Sequence, residues 1–124
     1  MQSNSQHILL IDDDTNVRNI ITSILEFNGY RVTALHAPRK ALQVYRKNHK
    51  VIDLVITDLH MPEMTGIDFA RKIRQISSDQ IILGMSAFAK EKQRQKEYND
   101  IFNEMLPKPF KSQELLQRIK KYLT

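Results

Sequence analysis

The chain contains no cysteine. Disulfides and thiolate metal sites are therefore excluded, and a reducing compartment fits this usage. No apolar run approaches the roughly 20 residues needed to cross a bilayer, and Ile8–Ile11 is too short for a signal-peptide core and runs straight into acids. The cytoplasm is the expected location, with no membrane partner. Internal repeats, low-complexity tracts and linkers are also lacking, so nothing divides the chain. Its 124 residues give room for one ordinary core and not for a second unit of typical size, so a single domain over 1–124 is expected, with its core at about 7–123.

The basic segments lack an interleaved run of aromatics. Lys and Arg outnumber Asp and Glu by 19 to 14, giving a formal charge of +5. The excess is spread over Arg39–Lys50, Arg71–Arg74, Lys90–Lys96 and Arg118–Lys121, and no nucleic-acid motif accompanies it. These segments read as solvated helix faces. Nucleic acid is not expected to bind this domain on charge alone, and acidic proteins are expected at least as readily.

The chain does contain an alternation of short apolar runs and helical stripes. His7–Ile11 reads as a strand, and Asp14 as the cap of a helix in which Val17, Ile20, Ile21, Ile24 and Leu25 form one stripe. Asn28-Gly29 ends that helix, Tyr30–Leu35 reads as a second strand, and Pro38 opens a helix that turns Ala41, Leu42 and Tyr45 inward. A third strand at Leu54–Thr57 precedes a helix over Ile67–Ile76, and a fourth at Ile81–Ser86 precedes Lys90–Glu97, a segment polar all round and expected to dock weakly. Met105 and Leu106 belong to a short fifth strand, and Ser112 reads as the cap of a last helix carrying Leu115, Leu116, Ile119 and Leu123. Five β-α repeats imply a doubly wound, flavodoxin-like α/β domain, with a five-stranded parallel sheet and helices on both faces.

In such a sheet the residues just past the carboxyl ends of the strands gather at one edge, where ligands bind. Asp12, Asp13 and Asp14 come after the first strand, Asp58 after the third, Ser86 after the fourth and Lys108 after the fifth. Taken singly, each has a plain role as a cap, a turn residue or a surface charge. Taken together they make a site. Crowded carboxylates repel unless a cation is present, and Mg²⁺, which prefers a few carboxylates, waters and phosphate oxygens, answers that need. A lysine supplies a point charge for phosphate and a hydroxyl donates to it, so the set suits phosphoryl transfer to an aspartate. An enzyme alternative is a Mg²⁺-dependent phosphohydrolase of the haloacid dehalogenase type, with Asp12 and Asp14 as its two acids, although Asn16 stands where that pattern wants Thr or Val.

The segments I-L-L-I-D-D-D at 8–14, D-L-V-I-T-D-L-H-M-P-E-M-T-G at 53–66, I-I-L-G-M-S-A at 81–87 and L-P-K-P-F at 106–110 resemble, over nearly the whole chain, the receiver domains of two-component response regulators. The resemblance implies a signalling phosphoacceptor rather than an enzyme acting on other substrates. Asp58 would take a phosphoryl group from a phosphohistidine on a sensor kinase or phosphotransfer protein. Asp12, Asp13, Asp58 and the backbone carbonyl of His60 would hold Mg²⁺, while Ser86 and Lys108 would engage the phosphoryl group. A cis Lys108-Pro109 peptide is implied as well. The 88–123 face would meet an output domain or partner, a homodimer included. Two departures stand out: Met105 replaces the usual aromatic switch residue, and Ile101 replaces a usual glycine. Phe88, two residues after Ser86, is expected to shield the acyl phosphate from water.

Overall fold

The computed structural model describes residues 5–87 and 94–123. In chain order the elements are β1 (His7–Ile11), α1 (Thr15–Phe27), β2 (Arg31–Leu35), α2 (Pro38–Asn48) continued by a 3₁₀ turn (His49–Val51), β3 (Leu54–Asp58), α3 (Gly66–Ile76), β4 (Ile82–Ser86), α4 (Gln95–Ile101), β5 (Glu104–Pro107) and α5 (Ser112–Tyr122). The strands form one parallel sheet in the order β2-β1-β3-β4-β5. The order reverses direction after β1, which places a crevice beyond the carboxyl ends of β1 and β3.

The two faces of the sheet hold separate cores, because successive side chains in a strand point to opposite sides. Leu9, Ile11 and Val55 pack with Ala41, Leu42 and Tyr45 of α2, with Phe69, Ala70 and Ile73 of α3, and with Tyr98 and Ile101 of α4. Ile8, Leu10, Leu54, Ile56, Leu83 and Met85 pack on the other side with Ile21 and Leu25 of α1 and with Leu115 and Ile119 of α5. Every residue of β3 and β4 is buried, which explains their unbroken apolar runs.

Local chemistry sets most element boundaries. The Asp14 carboxylate accepts from the Val17 N–H at 3.1 Å and starts α1, and Pro38 opens α2. The last helix departs from expectation, since Ser112 is already its first residue and Lys111 occupies the cap. There the Glu114 carboxylate reaches back to the Lys111 N–H at 2.8 Å and replaces the serine cap. Ile101 needs no left-handed backbone: it closes α4 in helical conformation, and the chain leaves through Phe102 in an extended one. The described part of α4 is firmly seated by Tyr98, 1% exposed, whereas the start of the Lys90–Glu97 segment and Phe88 lie outside the described residues.

Candidate functional site

Asp12 comes directly after β1 and is fully buried, an unusual place for a carboxylate. Burial raises its pKa. The Asp14 N–H, donating to Oδ1 at 2.9 Å, and the Lys108 ammonium, 3.5 Å from Oδ2, pull the other way, while the nearby Asp58 adds to the rise. The backbone of Asp12 is held as well, since its N–H donates to the Leu35 carbonyl and Arg18 Nη1 donates to its carbonyl at 2.8 Å.

Asp58 closes β3 and is 7% exposed. The Leu59 N–H donates to its Oδ1 at 2.9 Å, and the Thr57 hydroxyl donates to its backbone oxygen at 2.9 Å. Gly66 presses on the same peptide, where a Cβ would lie 2.3 Å from the Asp58 carbonyl oxygen. That close approach is why the loop returns to α3 through a glycine.

Lys108 comes from the opposite end of the sequence and joins the two acids. Its Nζ lies 3.4 Å from Asp58 Oδ1 and 3.5 Å from Asp12 Oδ2. Its backbone N–H donates to the Ser86 carbonyl at 3.0 Å, and the Lys108–Pro109 peptide is cis. Asp13 completes the cluster from the solvent side: one carboxylate oxygen from each of Asp12, Asp13 and Asp58 lies within 4.8 Å of the others. An all-oxygen donor set of this spacing, with one open side, can hold a hard divalent cation. Asp14 is not part of it. Its carboxylate is occupied by the α1 cap, so the D-x-D arrangement of the phosphohydrolase alternative lacks its second acid.

The remaining expected residues lie along β4 and β5. Ser86 ends β4, fully buried, and the His60 Nε2 stands 3.4 Å from its Oγ. Sequence reasoning gave His60 a role only through its backbone carbonyl, so this side-chain contact is new. Met105 pairs in register with Gly84, and its sulfur fills the space a Cβ there would need, with Phe102 alongside. Because Gly84 and Ser86 face the same side of the strand, Met105 sits next along that face from Ser86. Arg18, Thr57 and Gly66 were not anticipated as supports of the site. Arg18 has no local signal, while the glycine at the head of an amphipathic helix was visible but read only as a breaker.

Comparison with known proteins agrees with this geometry. The response regulator receiver domain model matches residues 8–120. The chain is 30% identical to an uncharacterized 14.6 kDa protein in the sodA1 3′ region of Leptolyngbya boryana, over 93% of this chain and 88% of that one. It is 33% identical to the response regulator MprA of Mycobacterium ulcerans over 96% of this chain but 50% of MprA, so it spans about half the length of that relative. The chemotaxis protein CheY4 of Vibrio cholerae superposes with a TM-score of 0.88 at 27% identity, covering 97% of this chain and 100% of that one. With its parallel five-stranded sheet and its acidic pocket of Asp12, Asp13 and Asp58, the chain belongs to the receiver domains of response regulators.

Proposed function

We propose that Asp58 accepts the phosphoryl group, and that Ser86 and Lys108 engage it once transferred. The observation that carries this reading is the position of Lys108 Nζ, 3.4 and 3.5 Å from two buried carboxylates that come from different strands. An ammonium in that place holds the acids together in the resting protein and meets the phosphoryl oxygens after transfer. A carboxylate oxygen of Asp58 attacks phosphorus, the P–N bond to a donor histidine breaks, and the imidazole leaves. Burial of Asp58 beside the Leu59 N–H keeps its carboxylate in a fixed orientation for that attack.

Asp12, Asp13, Asp58 and the His60 carbonyl are the groups that would hold Mg²⁺. When bound, the ion supplies the charge neutralisation that three carboxylates and a phosphoryl group require. On this reading residues 1–124 act as one receiver unit in the cytoplasm, served by a sensor histidine kinase or phosphotransfer protein. The unit catalyses only its own phosphorylation and dephosphorylation. The new acceptor oxygens draw on Ser86, and Met105, next along the same face, passes the change to the 88–123 face and so to an output domain, a partner or a second copy. A preference of about 1.4 kcal/mol between two conformations shifts their ratio tenfold, so a few such contacts suffice.

The test is intact mass after incubation with acetyl phosphate and Mg²⁺. One added phosphoryl group is expected on the wild type, none on Asp58→Asn, and little without the metal. Equal uptake by Asp58→Asn overturns the assignment of the acceptor. Equal uptake in the presence of a chelator overturns the metal's role.

A further inference from the structure

The longest run of cations uninterrupted by an acid centres on one element. Arg39, Lys40, Arg46, Lys47 and Lys50 lie on α2 and the 3₁₀ turn that continues it. These five cations match in number the chain's formal net charge of +5, which arises from nineteen Lys and Arg against fourteen Asp and Glu. Between Glu26 and Asp53 there is no acidic residue. Helical geometry brings the four cations of α2, Arg39, Lys40, Arg46 and Lys47, within about a third of the circumference, opposite the buried Ala41, Leu42 and Tyr45, and Lys50 follows in the 3₁₀ turn. All five are exposed, and among the described residues none takes part in an ion pair or side-chain hydrogen bond. Arg71, Arg94, Lys108, Arg118 and Lys121, by contrast, each face an acid.

The needs of the helix do not account for this stripe. Arg46 and Lys47, in the last turn, complement the negative end of the helix dipole, but Arg39 and Lys40 occupy the first turn, at the positive end. No acid stands there, and the cap residue Ala37 offers no side-chain acceptor. An external polyanion would relieve that conflict. Ordinary protein docking surfaces have an apolar or aromatic centre, whereas this face shows Gln43 between its cations and exposes one large apolar side chain, Val51, at its end. A single exposed valine is far short of the apolar face that inserts into a bilayer. The row from Arg39 to Lys47 is about 12 Å long, a length over which double-helical DNA carries about seven phosphate charges.

We propose that the α2 stripe binds the phosphate backbone of duplex DNA without regard to sequence. The helix α2 packs against β1, β2 and α3, toward the β2 edge of the sheet and away from the opposite edge strand β5. Binding is measured by fluorescence anisotropy of a labelled duplex of random sequence titrated with the full chain over a range of NaCl concentrations. A log–log salt slope of about −3 to −5 is expected, close to one unit for each phosphate contact. Arg39→Gln, Arg46→Gln and Lys50→Gln together should weaken binding tenfold or more at low salt and flatten the slope by about 2–3, since glutamine keeps the helix. The control, Lys96→Gln with Lys111→Gln and Lys120→Gln, removes the same charge elsewhere and should change affinity less than twofold. Uptake of phosphoryl groups by Asp58 reports that both variants are folded. Equal losses in the two variants would mean that binding follows total charge and would overturn the stripe. So would no binding at low salt, or binding through the stripe to polyglutamate or phosphatidylserine vesicles with none to DNA.

Discussion

Gly66 and Gly84 both lie where a side chain would collide, yet the collisions differ in kind. At Gly66 the obstacle is backbone, with a Cβ 2.3 Å from the Asp58 carbonyl oxygen and 2.7 Å from Leu59 Cα. At Gly84 it is the Met105 sulfur at 2.6 Å, the end of a flexible side chain that can swing away. Gly66→Ala is therefore expected to lower stability by about 1–3 kcal/mol and to slow phosphorylation of Asp58, and Gly84→Ala should cost less. Denaturant unfolding and the rate of mass gain with acetyl phosphate measure both. Glu63, in the same loop, holds φ at +73°, a conformation that side chains disfavour. Glu63→Gly should gain about 0.5–1 kcal/mol in the same unfolding experiment.

Between elements, two polar clamps hold the far parts of the sheet. Arg74 of α3 donates to the carbonyls of Ile101, Ser78 and Gln80 at 2.7–3.0 Å and to Asn103 Oδ1 at 3.0 Å, tying α3 to the turns before β4 and β5. A lysine cannot point in four directions at once, so Arg74→Lys should destabilise by about 1–3 kcal/mol in urea unfolding. Glu104 on β5 is the second clamp. Burial alone would raise its pKa, but the Lys121 ammonium, the Tyr122 hydroxyl and the Arg118 guanidinium together hold it below the usual carboxylate value, and Tyr122 in turn is pushed up to about 12, chiefly by burial and then by Glu104. A carboxylate whose pKa falls on folding contributes stability that is present above its unfolded value and is lost as the pH drops through the folded one. Glu104→Gln should therefore be less stable than the wild type at pH 7, by about 1 kcal/mol, with the gap closing once the pH is taken below about 4. Thermal unfolding across that range checks the direction.

At the scale of the whole molecule, metal and charge act on the balance of the fold. A cation held by Asp12, Asp13 and Asp58 binds only the folded chain, since these acids come from two strands, so Mg²⁺ should raise the melting temperature and a chelator should reverse the rise. Asp13→Asn, at an exposed position, should fold normally and show a smaller rise. No rise in the wild type would remove the metal site. Among the described residues no helix is long and apolar enough to cross a membrane.

The sequence by itself determined the order of strands and helices, because alternation and helical stripes are local: Leu54–Ile56 and Ile82–Leu83 announce buried strands whatever lies around them. It also determined that acids, a hydroxyl and a lysine stand at the ends of four of those strands. Only the tertiary structure decided how these groups meet. Lys108 bridges Asp12 and Asp58, Asp14 leaves the cluster to cap α1, and Ser112 yields the α5 cap to Lys111 because Glu114 satisfies its backbone. The α2 cations likewise fall on one helical face by spacing alone, but that among the described residues no acid from another element pairs with them is a matter of packing. Each such outcome depends on distances between residues far apart in the chain, and no local period carries that information.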